Sequence, residues 1–181
     1  AVCSDAIDQA ITHLKQGEVI GLPTETVYGL AADAFNNNAI AQVYAAKGRP
    51  QDHPVIVHIS DLDMLNTVAT NIPDSAYQLA DALWPGPLTL ILKRSNRISD
   101  AITAGQNTVG VRLPAHPMAQ AVIAGLGRPI VAPSANRFGR ISPTSAAGWL
   151  KSSTRDDSNC RSRSRSSWLR RFNSGSESSS V

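Results

Sequence analysis

Cysteine is nearly absent: Cys3 and Cys160 stand toward opposite ends of the 181 residues. Neither a disulfide framework nor a zinc module with paired ligand spacing can therefore organise the chain. No apolar run approaches the ~20 residues needed to cross a bilayer, so no membrane partner is expected. No basic-then-apolar leader opens the sequence, which makes the cytoplasm the expected compartment. The phosphate loop G-x-x-x-x-G-K-[ST], the dinucleotide fingerprint G-x-G-x-x-G, the H-E-x-x-H helix and the G-x-S-x-G elbow are all missing, and with them the familiar nucleotide, metalloprotease and hydrolase signatures.

What is present is 42% hydrophobic residues against 17% charged, enough to bury a real core. The net charge of +3 is unevenly placed. Residues 148–181 hold seven of the 17 basic and three of the 14 acidic residues, leaving residues 1–147 at −1. The same final stretch holds 12 serines and six arginines with no apolar periodicity. Such a composition cannot offset its ordering entropy, so the chain divides into a folded body, 1–147, and a Ser/Arg-rich tail, 148–181, read as disordered or altered.

Within the body, helical spacing of Ile7, Ala10, Ile11 and Leu14 predicts a helix over 4–17, capped by Ser4 and ended by Gly17. Further helices are expected at 38–46, 62–68, 74–83 and 117–124. Short apolar strands are expected at 18–22, 55–59, 88–92, 108–112 and 129–132. Helices interleaved with short strands give an α/β class with a mixed, helix-covered sheet.

Five polar clusters follow strand or helix ends, where such folds place ligands. Pro23-Thr24-Glu25-Thr26-Val27-Tyr28-Gly29 offers hydroxyls and amides to a small polar ligand, or is simply a turn whose threonines bond the local backbone. Lys47-Gly48-Arg49-Pro50 closes a helix, where cations are favourable in any case, yet Lys47 and Arg49 could also reach different oxygens of a polyphosphate. His53 and His58 follow; a histidine closing an apolar strand, as His58 does, is more often structural than catalytic. Trp84-Pro85-Gly86-Pro87 reads as a rigid turn that launches a strand. Arg112 stands in the apolar strand Thr108-Val109-Gly110-Val111-Arg112, an expensive place for an unpaired charge. Either an unseen acid satisfies it or it awaits a ligand anion, and the lack of a nearby acid in sequence favours the ligand. Lastly, Ala132-Pro133-Ser134-Ala135-Asn136 and Ser142-Pro143-Thr144 can build an anion-binding nest.

In this order and spacing, the stretches 23–30, 47–58, 84–90, 108–117 and 132–146 resemble the YrdC family of threonylcarbamoyl-AMP synthases, in its longer bacterial and archaeal branch. The resemblance covers residues 4–147. It implies a twisted, mixed open sheet with helices around a deep basic cleft. It also implies synthesis of L-threonylcarbamoyladenylate and pyrophosphate from L-threonine, bicarbonate or CO2 and ATP. That product serves modification of adenosine 37 of tRNA through a threonylcarbamoyl-transferase complex. By position, Thr26, His58, Arg112 and the backbone at Ala132 would hold threonine. Arg49, His53, Thr108, Ser134, Asn136 and Ser142 would contact ATP, with Lys47 and Arg49 at the reacting phosphates. Mg²⁺ would be held mainly by the phosphates, with no protein metal ligands. Beyond Ala146 the family pattern stops, and a frameshifted frame near Gly148 is favoured over a tail that contacts RNA phosphates, since the break falls inside what should be core. The competing reading is a non-catalytic RNA-binding or ribosome-associated module on the same fold.

Overall fold

Apolar residues recurring every three to four positions give the first helix, α1 (Ser4–Lys15), whose Ala10 and Leu14 are buried. The computed structural model describes residues 4–48 and 53–136. Strand β1 (Ile20–Pro23) pairs antiparallel with β2 (Tyr28–Asp33). Helix α2 (Asn37–Lys47) starts on Asn36, whose side chain accepts from the amides of Asn38 and Ala39, and stops at Gly48, whose φ of 57° is the left-handed cap that glycine adopts at little cost. There follow β3 (Val57–His58), α3 (Leu62–Val68), α4 (Asp74–Leu83), β4 (Leu90–Lys93), the single turn α5 (Asp100–Thr103), β5 (Thr108–Arg112), α6 (Pro117–Leu126) and β6 (Ile130–Val131). Trp84–Pro85 is a cis peptide.

The strands form one open sheet in the order β1-β2-β6-β3-β5-β4, parallel only between β3 and β5. This is the mixed, helix-covered α/β sheet expected. Alternation of side chains splits its core in two. Ala32, Val57, Val109, Val111 and Val131 face α2 to α5, packing with Ile40, Val43, Leu65, Val68 and Ile102. Ala31 and Ile130 face the other way, under Leu14 of α1 and Val122, Ile123 and Leu126 of α6. Each of these valine, leucine and isoleucine side chains, fully removed from water, contributes about 1.5–3 kcal/mol. That second face is covered over β1, β2 and β6. Over β5 and β4 it presents Thr108, Gly110, Arg112 and Ile91, the last retaining 67% of its surface.

The structure differs from expectation in two elements. The cluster 23–29 is the end of β1, a turn and the start of β2, a strand that sequence pattern does not reveal. β2 is Tyr-Gly-Leu-Ala-Ala-Asp, almost wholly buried, so it lacks both polar alternation and β-branched residues. α5 is too short to leave a periodic signal. The boundary between body and tail at 147/148 lies outside the described residues.

Candidate functional site

Two groups of the predicted residues are brought together. The first forms around Lys47, in the last turn of α2 and only 4% exposed. Its ammonium leaves its own helix and donates to the carbonyl oxygens of Ser134 and, at 2.9 Å, of Asn136. Burial of a lysine is costly unless it is hydrogen-bonded, and these carbonyls meet that need. They are presented there because residues 132–136 continue alongside β2. The Leu30 amide donates to the Pro133 carbonyl at 2.8 Å, the Ala135 amide to the Tyr28 carbonyl at 2.7 Å, and Gly29 is bridged to Ser134. Gly29 is needed for the approach, since a Cβ there would stand 3.2 Å from the Ala132 carbonyl oxygen.

The second group centres on Arg112. Register places it beside His58 on the parallel strand pair β3–β5. Its Nε donates to the Gly86 carbonyl at 3.1 Å and its Nη2 to Glu25 Oε1. Glu25 Oε2 accepts the Ala115 amide at 3.2 Å. The unseen acid is therefore present, 87 residues away in sequence, and the turn before β2 lies against the β5 side of the sheet. Glu25 was missed by sequence reasoning. The signal that could have found it is the rule that an arginine in a buried strand needs a carboxylate. Burial, which alone would raise the Glu25 carboxyl, is outweighed by its own backbone amide, by Arg112 and by Ala115, so its pKa lies below the usual value.

His58 is buried beside this pair. Desolvation first, and then the Arg112 charge, push its pKa down to about 4, against the opposing pull of Glu25 and of the Ile56 backbone. The ring is thus neutral at pH 7, and its Nδ1 has no hydrogen-bond partner. An orphaned buried nitrogen next to a guanidinium is a polar atom suited to a ligand.

The other predicted residues fall around these groups. Thr26 lies exposed in the β1–β2 turn, its Oγ1 3.1 Å from Thr24 Oγ1. Thr24 Oγ1 also accepts the Val27 amide at 3.2 Å and donates to its carbonyl, so the turn is locally bonded as the plainer reading expected. Ala132 is buried against Gly29. Thr108 opens β5, on the Arg112 face of that strand. The carbonyl of His53 accepts the Tyr44 hydroxyl at 2.8 Å. Trp84 donates its Nε1 to the Leu88 carbonyl, and the Gly86 amide donates to the Leu113 carbonyl, so the Trp-Pro-Gly-Pro turn is structural and also carries the carbonyl that holds Arg112. Arg49 and Ser142 lie outside the described residues. The described residues include no helix long and apolar enough to cross a membrane.

Comparison with known proteins bears on the family and the fold. The model of the Sua5/YciO/YrdC family, described as "Telomere recombination", matches residues 12–156. The chain is 49% identical to the threonylcarbamoyl-AMP synthase of Pyrococcus abyssi over 137 residues, 76% of this chain and 40% of that protein. It is also 49% identical to the threonylcarbamoyl-AMP synthase of Bacillus subtilis over 141 residues, 77% of this chain and 41% of that protein. The chain thus spans about two fifths of the length of these curated relatives. Among solved structures, P. abyssi Sua5 complexed with L-threonine has a TM-score of 0.79 and 46% identity, over 81% of this chain and 43% of that one. By the family match over most of its length, the chain belongs to the Sua5/YciO/YrdC family.

Proposed function

We propose that the chain carries the catalytic fold of a threonylcarbamoyl-AMP synthase, joining L-threonine, CO2 or bicarbonate and ATP into L-threonylcarbamoyladenylate with release of pyrophosphate. The observation that carries this reading is the pairing of Arg112 with a buried, neutral His58 whose Nδ1 is unpartnered. A guanidinium suits an α-carboxylate, and an orphaned imidazole nitrogen suits a hydroxyl. The relatives' names and the threonine complex of P. abyssi Sua5 support the same substrate.

In this reading Thr26, His58, Arg112 and the Ala132 backbone hold threonine. His53, Thr108, Ser134 and Asn136 contact ATP, together with Arg49 and Ser142. The threonine amine adds to CO2, forming an N–C bond and losing a proton. A carbamate oxygen then attacks the α-phosphorus, and the bond to pyrophosphate breaks with its electron pair leaving on that group. The protein's share is alignment of two anions and neutralisation of growing charge, which suits a site of cations and hydroxyls without a nucleophile. Lys47 contributes a buried positive charge and fixes the Ser134–Asn136 segment by its two carbonyl contacts. The nearby carboxylate, Glu25, is engaged by Arg112, and no cluster of three potential metal ligands occurs among the described residues. This donor set fits a Mg²⁺ that comes with the triphosphate as part of the substrate and supplies charge neutralisation there. The product would pass to a threonylcarbamoyl-transferase complex that modifies tRNA.

Pyrophosphate release from ATP and bicarbonate tests the reading. Release should depend on L-threonine and fall by at least tenfold with L-serine, which lacks one methyl group. A folded chain whose release ignores threonine overturns it, and RNA binding without release would favour the non-catalytic alternative.

A further inference from the structure

Arg112 is held from two directions. The Gly86 carbonyl takes its Nε hydrogen and the Glu25 carboxylate takes one from Nη2. A planar guanidinium anchored on two edges cannot swivel, yet it has five N–H donors, so others remain for a ligand. Glu25 is itself fixed through the Ala115 amide. The three contacts tie together the β1–β2 turn, the Trp84–Pro85 turn and the segment after β5. The side chains retain 11% of their surface at Arg112 and 21% at Glu25, so the pair is shielded without being sealed.

We propose that Glu25 is a positioning residue for substrate binding: it pre-orients Arg112 as the receptor for the α-carboxylate of the amino-acid substrate. This rests on the reading that Arg112 holds that substrate. Glu25 has a cost as well as a benefit, because its charge offsets that of Arg112 and weakens the bare attraction for an anion. The benefit is order. A free arginine side chain loses its rotamer freedom when it first grips a ligand, and a prior partner removes that loss from the binding step. A partly exposed ion pair adds little to stability, so its chief consequence is this orientation.

The test is calorimetric binding of L-threonine and of L-threonine methyl ester to the full chain and to Glu25→Ala and Glu25→Gln. The wild type should prefer the acid to the ester. Glu25→Ala should bind the acid about tenfold more weakly with the ester little changed, and Glu25→Gln, which keeps one acceptor oxygen, should fall between. Equal or tighter binding of the acid by the variants makes Glu25 a competitor and overturns the proposal. Equal weakening of acid and ester makes it merely structural and does the same. If Glu25→Ala does not fold by circular dichroism, the acid-to-ester ratio of Glu25→Gln decides. A wild type that binds threonine without discriminating acid from ester refutes the role of Arg112 itself, and the proposal falls with it.

Discussion

The ammonium of Lys47 lies 2.9 Å from the carbonyl oxygen of Asn136, a contact made across 89 residues of sequence that joins the end of α2 to the segment after β6. A second carbonyl, that of Ser134, accepts from the same nitrogen. The lysine is thus a strut for the segment it was expected to accompany.

Replacing Lys47 by methionine keeps most of the apolar stem and removes the ammonium from which both carbonyls accept. The expected cost is about 1–3 kcal/mol, because half-buried acceptors that lose a donor retain part of their desolvation penalty. Urea denaturation checks it through a lower midpoint at unchanged slope. Under the proposed function, pyrophosphate release is lost even at urea-free, fully folded conditions.

His58 makes stability depend on pH with a definite sign. Its folded pKa is about 4 against 6.5 for the free group. Between these values the unfolded chain binds the proton and the folded chain does not. Stability is therefore complete above about pH 6.5 and declines as pH falls toward 4, by up to about 3 kcal/mol. His58→Gln should remove this component, so the difference between the two melting curves should shrink steadily from pH 7 to pH 4. A constant difference would contradict it. Glu25, whose pKa is lowered, keeps its charge through most of this window.

Gly29→Ala places a methyl group 3.1 Å from Ala132 Cβ and 3.2 Å from its carbonyl oxygen. The neighbour is backbone, so it yields poorly, and a destabilisation of about 1–3 kcal/mol is expected. Thermal unfolding measures it. The same change should weaken any ligand that uses the Ser134 segment, since that segment is bridged to Gly29.

Ile91→Thr offers the contrast. Ile91 points outward from β4 and is 67% exposed. The substitution keeps a β-branched residue in the strand and should alter stability by less than about 0.5 kcal/mol. A larger loss in the same thermal assay would mean that the face over β4 is covered.

Much of the fold was legible because α1, α4 and α6 carry helical periodicity and β1, β4 and β5 are short apolar runs between turns. β2 was not, because glycine and alanine in a strand buried on both faces mimic a loop. β3 and β6 are narrower than their apolar runs, two residues each, because the rest of each run leaves the ladder. At the site, the isolated residues were legible and their partnerships were not. His58 could be recognised as buried and Arg112 as a charge needing an anion, but no local pattern links Arg112 to Glu25 or Lys47 to Ser134. The family resemblance supplied grouping, not contacts.

The two-residue strands at the centre of the sheet have a mechanical consequence. β1–β2 and β4–β5 are each joined over four paired positions, whereas β3 and β6, between them, meet over two. The sheet is therefore two broad panels sewn by a narrow but deeply buried seam, Val57, Ile130 and Val131 being fully enclosed, so amide hydrogens along it should exchange only when the core of the sheet opens. Glu25 and Arg112 span that seam as a crosswise stitch. A ligand gripping Arg112 and the Ser134 segment together would add a second, so its binding should slow the opening of the seam and with it exchange at Val57, His58, Ile130 and Val131.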